Sequence, residues 1–275
     1  MKIKFLGTAA AEAFPAFFCA CDNCKKARKS GGKNIRSRSQ AIINDDLLID
    51  FPPDSYYHFE RFNIDTLKIK SCLITHSHCD HFYIFDTNVS LNGASHPPKD
   101  WHGFTLCGSQ DLEPHLQYIL TTNKGFFNYN KIEPFKPFNT AGYTVTALKA
   151  LHGTENPYIY IVEKDGKTIL YAHDTDIIPD DSMKYIRENQ FKFDLVSMDC
   201  TEGAFEKIPY VGHMCLGSNL KLKEKLLNID AIDDKTILVL NHFSHNGLNA
   251  TYDDFAPVAA KEGFLTSYDG MEIEI

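Results

Sequence analysis

The sequence lacks several features that would indicate a membrane or nucleic-acid-binding protein. Its apolar runs, such as Thr236–Leu240, are far shorter than the roughly 20 residues that span a bilayer. The first residues, Met-Lys-Ile-Lys-Phe-Leu-Gly, contain no apolar segment of the kind found in a secretion signal. The formal net charge of −8 is unfavourable for broad nucleic-acid binding. We therefore predict a cytoplasmic protein that binds neither a membrane nor nucleic acid.

What the chain does contain is the composition of an ordinary globular protein. Its 275 residues are 43% hydrophobic and 23% charged, enough for a sizeable core. Strand-like segments come first and are then mixed with helical ones, without internal repeats or low-complexity linkers. Residues 158–172 alternate like a hairpin about Asp165-Gly166. The sequence predicts one α/β domain that covers residues 1–275.

The eight cysteines do not indicate a disulfide framework, because the predicted compartment is reducing. Three of them crowd together in the segment Cys19-Ala-Cys21-Asp-Asn-Cys24. Such crowding in a reducing compartment favours a metal site, and the alternative is three reduced thiols in the core. The other five cysteines are scattered and are interpreted as core or near-site residues.

A second segment, residues 72–81, joins a β-prone run to four metal-binding side chains. His76, His78, Asp80 and His81 follow the run within six residues. Burying three imidazoles and a carboxylate is costly unless something binds them. Imidazole and carboxylate are ligands of zinc, manganese and iron. The segment therefore predicts a metal site, with a solvated polar loop as the alternative.

Further potential ligands stand at the ends of three later predicted strands: His152, Asp174 and His242. With the four residues above they supply seven donors, about the number that a two-metal site needs. Taken singly, a histidine such as His152 is more often buried and hydrogen-bonded than a ligand. We assign the donors to two divalent metals, with Asp174 bridging them: His76, His78 and His152 for one metal, and Asp80, His81 and His242 for the other.

A run from Lys25 to Arg38 carries seven positive charges and no acid. Such a patch could steer a small anion, and a solvated surface explains the lysines equally well. Arg36 and Arg38 are candidates for contact with a second phosphate, because a guanidinium group binds phosphate through two hydrogen bonds. Residues 87–103 are predicted to form a long loop and are a candidate wall of the substrate site.

The pattern at residues 76–81 resembles the H-x-H-x-D-H signature of the metallo-β-lactamase-fold hydrolases. His152, Asp174 and His242 match the later metal ligands of these enzymes in order. The resemblance implies an αβ/βα four-layer sandwich and a complete hydrolytic site with two divalent metals.

Residues toward the two ends of the chain resemble one particular family of these hydrolases. The cysteine trio, the basic segment, His242-Phe-Ser-His245 and Asp269-Gly-Met-Glu-Ile273 resemble the phosphoribosyl cyclic phosphate phosphodiesterases of phosphonate breakdown, over nearly the full length. Members of that family carry a structural zinc held by three cysteines and one histidine. The resemblance implies the same role here for four residues: Cys19, Cys21, Cys24 and His245. It favours manganese over zinc at the active site, although the residues themselves suit either.

The resemblance also implies the reaction. The expected substrate is a small anionic phosphodiester, such as 5-phosphoribosyl 1,2-cyclic phosphate. Asp80 and His213 are the predicted catalytic residues, with His213 donating a proton to the leaving group; a surface histidine is the alternative. A tRNA 3′-processing endonuclease and a redox enzyme of the pyrroloquinoline-quinone biosynthesis type share the fold and remain alternatives. A non-enzymatic binding module fits the full ligand set less well, and a homodimer is left open.

Overall fold

Two seven-stranded sheets lie at the centre of the structure, a computed structural model that describes residues 1–89, 93–101, 103–122, 126–207 and 212–275. In chain order, the strands are β1 (Lys2–Gly7), β2 (Gln40–Ile43), β3 (Leu47–Ile49), β4 (Ser71–Leu73), β5 (Phe104–Gly108), β6 (Phe127–Lys131), β7 (Phe138–Thr140), β8 (Tyr143–Lys149), β9 (Tyr158–Lys164), β10 (Lys167–Ala172), β11 (Leu195–Asp199), β12 (Ile237–Asn241), β13 (Leu265–Thr266) and β14 (Met271–Glu274). The helices are α1 (Asp22–Ser30), α2 (Ser55–Arg61), α3 (Phe85–Val89), α4 (Glu113–Thr122), α5 (Asp180–Glu188), α6 (Leu216–Asn228) and α7 (Tyr252–Lys261).

Each sheet is antiparallel at one side and parallel at the other. The first sheet has the order β14-β1-β2-β3-β4-β5-β6 and is parallel from β3 to β6. The second has the order β13-β12-β11-β10-β9-β8-β7 and is parallel from β10 to β13. Parallel strands end at the same edge of a sheet, so residues that follow them are brought together there.

The two sheets pack face to face, and helices cover their outer faces. Strand β9 illustrates the pattern, since Tyr160 and Val162 enter the core between the sheets while Ile159 and Ile161 face the helices. Helices α5, α6 and α7 pack on the second sheet, and α2 and α4 pack on the first. The predicted αβ/βα four-layer sandwich is confirmed. None of the helices in the described part of the chain has the length and apolar character needed to cross a bilayer.

The predicted hairpin about Asp165-Gly166 is present. Lys164 pairs with Lys167, which leaves a two-residue loop between β9 and β10. Both loop residues have positive φ, 52° at Asp165 and 72° at Gly166. This conformation is the type I′ turn that matches the twist of the flanking strands, and Asp-Gly suits it because glycine has no Cβ to clash.

Candidate metal centres

Seven donor side chains from both sheets meet where strands end. Four follow β4 in the first sheet, and the others follow β8, β10 and β12 in the second. We call this cluster the strand-end site: His76, His78, Asp80, His81, His152, Asp174 and His242. All but His78 and His152 are buried. The structure therefore brings together every residue that the sequence predicted for the two-metal site.

Three imidazole nitrogens converge in the first half of the strand-end site. His76 Nε2 lies 3.0 Å from His78 Nδ1, and His152 Nε2 lies 3.2 Å from the same atom. The other nitrogens of two of these rings are already engaged, because His76 Nδ1 is 3.0 Å from Thr75 Oγ1 and His152 Nδ1 donates to the carbonyl of Gly212. His76 Nε2 and His152 Nε2 thus have lone pairs that point toward His78 Nδ1, an arrangement that a shared cation stabilises.

Asp174 lies at the centre of the second half of the strand-end site. Its Oδ2 is 2.5 Å from His81 Nε2 and 3.1 Å from His242 Nε2, and Asp80 Oδ2 is 3.1 Å from His81 Nε2. These two ring nitrogens and Asp174 Oδ2 are buried yet have no partner in hydrogen-bond geometry among the described residues. Buried polar atoms are rarely left in this state without an ion or water. The donors thus fit a divalent cation.

The Asp174 carboxylate also reaches the first half of the site. Its Oδ1 lies 3.9 Å from His152 Nε2, and its Oδ2 lies 3.8 Å from His76 Nε2. One carboxylate therefore stands between both groups of donors, as the predicted bridging role requires.

Two buried carboxylates behind the strand-end site fix the orientation of its histidines. Asp50 follows β3 and accepts from His81 Nδ1 at 2.7 Å. Asp199 ends β11 and accepts from Thr201 Oγ1 at 3.1 Å, which leaves that hydroxyl to accept from His242 Nδ1 at 2.8 Å. Such outer partners set the tautomer of a metal-binding histidine. The sequence analysis missed both aspartates, although each stands at a strand end as the ligands do.

The backbone at the site adopts conformations that most residues avoid. The φ angles are 64° at Asp50, 49° at Asp174 and 64° at His242. Aspartate and histidine tolerate the left-handed region better than branched residues, yet the conformation still costs free energy. Each of the three residues directly follows or lies close after a strand, so the chain turns sharply there and aims the side chain at the site.

Opposite charges are packed tightly in the strand-end site. Burial alone would raise the pKa of Asp174, but the neighbouring His242 and His81 outweigh it and hold that pKa well below its usual range. Burial would likewise lower the pKa of His81, yet Asp174, Asp50 and Asp80 raise it well above its usual value. His76 has no such excess of carboxylates, and burial lowers its pKa. The second half of the strand-end site, centred on Asp174, thus favours positive charge more strongly than the first half, which consists of three histidines.

His213 lies beside the strand-end site. Its Nδ1 is 3.0 Å from Asp199 Oδ2 and 3.4 Å from Asp174 Oδ1. Burial would lower the pKa of His213, but Asp199 outweighs it and raises the pKa to about 9. Together with Asp174, Asp199 and His242, this residue forms a further set of donors close enough for one ion. The structure places His213 where either a proton donor or a ligand would stand.

A second cluster, the cysteine site, joins the start of α1 and the loop before it to the segment after β12: Cys19, Cys21, Cys24 and His245. Cys19 Sγ and Cys21 Sγ are both 3.5 Å from His245 Nδ1. The backbone N–H groups of Ala16 and Cys24 donate to the sulfurs of Cys24 and Cys21. All four donor atoms lie within 4.8 Å of one another. The geometry fits a closed tetrahedral zinc site of the Cys3His type.

The two arginines that the sequence offered for a second phosphate have other partners. Arg36 is 2% exposed, and its guanidinium group donates to Thr8 and to the carbonyl of Ser267. Burial lowers its pKa to about 10. Arg38 pairs with Asp54 at 3.0 Å and donates to the carbonyl of Ala11. Arg36 is thus a structural residue of the interior.

The described part of residues 87–103 does not line the cavity at the strand-end site. It includes the end of α3, and Thr87, Ser95–Pro98 and Trp101 line a separate, mostly apolar cavity together with residues of α2. Residues 90–92 and 102 lie outside the described residues. The prediction of a substrate wall therefore finds no support at Thr87, Ser95–Pro98 or Trp101.

The cavity at the strand-end site has a volume of about 340 Å³. Besides five residues of that site and His213, its described lining comprises polar and small residues: Ala10, Ala11, Glu12, Thr201, Glu202, Ser244 and Asn246. A space of this size suits a small molecule.

Comparisons with known proteins agree with this architecture. No curated protein matches the chain. A diphosphatase of the PhnP family has a similar structure, with a TM-score of 0.74, 20% identity, and coverage of 100% of this chain and 97% of that one. Zinc-bound PqqB from Methylobacterium extorquens has a TM-score of 0.78 at 16% identity, covering 100% of both chains. The short form of human tRNase Z has a TM-score of 0.68 at 17% identity, covering 100% of this chain and 99% of that one. Likeness at these identities establishes the fold alone.

A sequence profile establishes the family. The profile of the beta-lactamase superfamily domain matches residues 47–243, most of the chain and all of the strand-end site. The fold and the clusters of histidine and aspartate indicate divalent metal binding. The chain therefore belongs to the beta-lactamase superfamily, whose members are metal-dependent hydrolases.

Proposed function

We propose that this hydrolase is a phosphodiesterase that cleaves a small cyclic phosphodiester. One observation supports the proposal above the others, namely the position of Asp174. Its carboxylate stands 2.5 Å from His81 Nε2 and 3.9 Å from His152 Nε2, between the two donor groups. A bridging carboxylate is suited to a pair of cations, and such pairs are typical of enzymes that hydrolyse phosphate esters.

We assign the ligands as the sequence predicted. One divalent metal is held by His76, His78 and His152, the second by Asp80, His81 and His242, with Asp174 between them. When bound, such a pair makes water nucleophilic at neutral pH and offsets charge on the phosphoryl oxygens. Manganese and zinc both suit these donors, and we assign a structural zinc to the cysteine site.

His213 is the proposed proton donor for the leaving alkoxide. Its Nδ1 faces Asp199 at 3.0 Å, so Nε2 is the nitrogen that remains for the substrate. His213 lines the cavity and is partly exposed to it. Asp199 holds the ring in place and stabilises its protonated form.

The size of the cavity and the net charge of the chain favour a small diester over a tRNA substrate. A volume of about 340 Å³ accommodates a sugar phosphate. A tRNA substrate needs an extended basic surface, whereas the chain has a net charge of −8. A redox reaction of the pyrroloquinoline-quinone type remains an alternative that the fold does not separate from hydrolysis.

The test is a panel of phosphodiesters assayed with Mn²⁺, Zn²⁺ and Ni²⁺. We expect hydrolysis of bis(4-nitrophenyl) phosphate and of five-membered cyclic phosphates. Asp80→Ala removes a proposed ligand and should lower kcat/KM on the order of a thousandfold or more. Asp234→Ala, which removes an exposed carboxylate from the turn before β12, at the opposite end of that strand from His242, is the matched control and should leave the rate unchanged. Activity on precursor tRNA without activity on small cyclic diesters would contradict the proposal.

A further inference from the structure

Two carboxylates line the cavity without belonging to either set of proposed metal ligands. Glu202 stands three residues after the end of β11, and Glu12 stands on the loop after β1. Neither was singled out from the sequence. Because both line the cavity, they can contact the part of a substrate that lies beyond the reacting phosphate.

Glu202 is a largely buried residue whose carboxylate has no hydrogen-bonded partner among the described residues and whose charge acts on His213. It is 9% exposed, and the described residues offer its side chain no hydrogen bond and no ion pair. Its backbone is nevertheless fixed on both sides, because its N–H donates to Met214 and its carbonyl accepts from Leu248. Its oxygens are not fully enclosed by protein and the residue lines the cavity, so a group in the cavity that donates hydrogen bonds can reach them.

Glu12 adds a second negative charge at a fixed position. Its Oε1 accepts a hydrogen bond from Ser244 Oγ and lies 3.8 Å from His245 Nε2 of the cysteine site. The side chain is about one third exposed, and Ser244 holds one of its oxygens. The loop after β1 thus presents an acid to the cavity and is tied to the cysteine site through that acid.

No lysine or arginine lines the cavity among the residues that the structure describes. Arg36 is buried and donates to Thr8, while Arg38 donates to the carbonyl of Ala11 and pairs with Asp54. The sites of positive charge at the cavity are therefore the histidines and the proposed cations, which serve the reacting phosphate. A second phosphate on the substrate would meet Glu12 and Glu202 without a cationic partner of its own, which is electrostatically unfavourable.

We propose that Glu202 accepts hydrogen bonds from hydroxyl groups of a sugar that carries the cyclic phosphodiester, and that Glu12 and Glu202 together select against a second phosphate. An ionised carboxylate only accepts hydrogen bonds, so its partner must be a donor, and an acidic residue binds ribose hydroxyls in the same way in dinucleotide-binding folds. Asn246 lines the same cavity and offers a further donor and acceptor to the sugar. This assignment rests on the proposed phosphodiesterase activity and narrows its substrate to an otherwise uncharged sugar cyclic phosphate.

The experiment compares two substrates that differ only at one position: ribose 1,2-cyclic phosphate and its 5-phosphorylated form. We expect the metal-loaded enzyme to favour the unphosphorylated sugar by about tenfold in kcat/KM, chiefly through KM. Glu202→Gln removes the negative charge and should reduce that preference to about twofold or less. Glu206→Gln, an exposed carboxylate of the same loop, is the control and should keep the full preference.

A binding measurement adds a readout that does not depend on turnover. Calorimetric titration of the metal-loaded protein should show tighter binding of ribose 1-phosphate than of ribose 1,5-bisphosphate, with the difference reduced in Glu202→Gln. Equal or tighter binding of the bisphosphate would overturn the proposal, and so would a preference for an amine-bearing diester over the sugar.

The outcomes separate the two proposals. An enzyme that hydrolyses bis(4-nitrophenyl) phosphate but prefers the 5-phosphorylated sugar is a phosphodiesterase with a different substrate, and only the role of Glu202 fails. An enzyme that hydrolyses no phosphodiester under any of the three metals contradicts the proposed function itself.

Discussion

The two donor clusters of this protein differ in what holds them together. The strand-end site takes its seven residues from the segments that follow β4, β8, β10 and β12, so the hydrogen-bonded sheets anchor the points from which these segments start. The cysteine site takes Cys19 and Cys21 from the loop before α1, Cys24 from the first turn of α1, and His245 from the segment after β12. Loops have fewer fixed neighbours than strands and are more easily displaced. The sheets anchor the first cluster, while the second joins the start of a helix to two loop segments that the fold constrains less.

The surroundings of the donors show the same difference. Behind the strand-end site stand Asp50 and Asp199, both fully buried, which orient His81 and His242 directly or through Thr201. At the cysteine site the sulfurs meet His245 and a few backbone N–H groups, and Cys21 is exposed. We infer that the first geometry persists without metal and that the second depends on its ion. Substitutions at the cysteine site and at the residues that support the strand-end site test this difference.

The largest effect is expected from breaking the cysteine site. Cys24→Ala should lower the zinc content by one per chain and destabilise the protein by more than about 3 kcal/mol, because the ion holds two loops together. Metal analysis and thermal unfolding measure the two quantities. Hydrogen exchange should show the loss of protection concentrated in residues 9–38 and 242–250.

Cys72→Ala is the matched control, since Cys24 and Cys72 are both fully buried cysteines. It removes the same atoms from a position next to the strand-end site and should cost only about 1 kcal/mol, with the zinc content unchanged. An equal loss of stability in both variants, without loss of zinc from Cys24→Ala, would mean that the trio is a set of core thiols.

A smaller effect is expected from weakening the support of the strand-end site. Asp50→Asn keeps the size of the side chain but removes the charge that faces His81 Nδ1. Loss of such an outer partner lowers metal affinity or activity by about 10- to 100-fold. Competition with a chromophoric chelator measures the affinity, and thermal unfolding should show a smaller change than in Cys24→Ala.

Asp45→Asn, on the exposed turn between β2 and β3, is the control for this charge change and should bind metal as the wild type does. If Asp50→Asn unfolded the protein as far as Cys24→Ala does, the two sites would not differ in the way that we infer.

The sequence analysis predicted the ligands better than their supports. His76, His152 and His242 were recognisable because each follows a β-prone run and belongs to a known pattern of donors. Asp50 and Asp199 also follow such runs, but an aspartate after a strand is common in turns and carries no pattern of its own. Glu202 has no local signal at all, since its importance comes from burial beside the cavity.

Contacts that are distant in sequence also decided the features of the fold and of Arg36 that were not predicted. The hairpin of β9 and β10 was predicted from local turn chemistry, whereas β6 and β7 were not predicted. Phe-Asn-Tyr-Asn-Lys in β6 is polar for a strand and is ordered by parallel pairing with β5, a contact distant in sequence. Arg36 was predicted as a candidate contact for a second phosphate, and its burial could not be foreseen because the stacking of its guanidinium on Phe243 is also a long-range contact. Local patterns predict elements, while tertiary contacts decide which side a residue faces.

His58 is a buried histidine outside both clusters, and it can be compared with the histidines of the strand-end site. Its Nδ1 lies 2.7 Å from Gln40 Oε1 and its Nε2 lies 2.7 Å from Ser37 Oγ. Both ring nitrogens therefore have protein partners, in contrast to the open nitrogens of the strand-end site. Burial lowers the pKa of His58 to about 4, although Asp54 opposes this and Arg61 reinforces it.

The smallest effect is therefore expected from the pH dependence that His58 contributes. Its pKa is lower in the folded protein than the usual 6.5, so the unfolded chain binds the proton more tightly. The contribution to stability is present above about pH 6.5 and is lost as the pH falls toward 4. Between pH 7 and pH 5.5 the loss is about 1 kcal/mol.

Denaturant unfolding of the wild type and His58→Gln at a series of pH values measures this contribution as a difference. The variant is less stable at pH 7 because it loses a packed ring, but its stability should fall less steeply between pH 7 and pH 5.5. Equal slopes would mean that folding leaves the pKa of His58 unchanged. A steeper fall in the variant than in the wild type would mean that the folded protein already holds this proton at neutral pH. In that case a histidine whose two ring nitrogens both have protein partners would be positively charged. The lack of such partners at ring nitrogens of the strand-end site would then no longer distinguish its proposed metal ligands from His58.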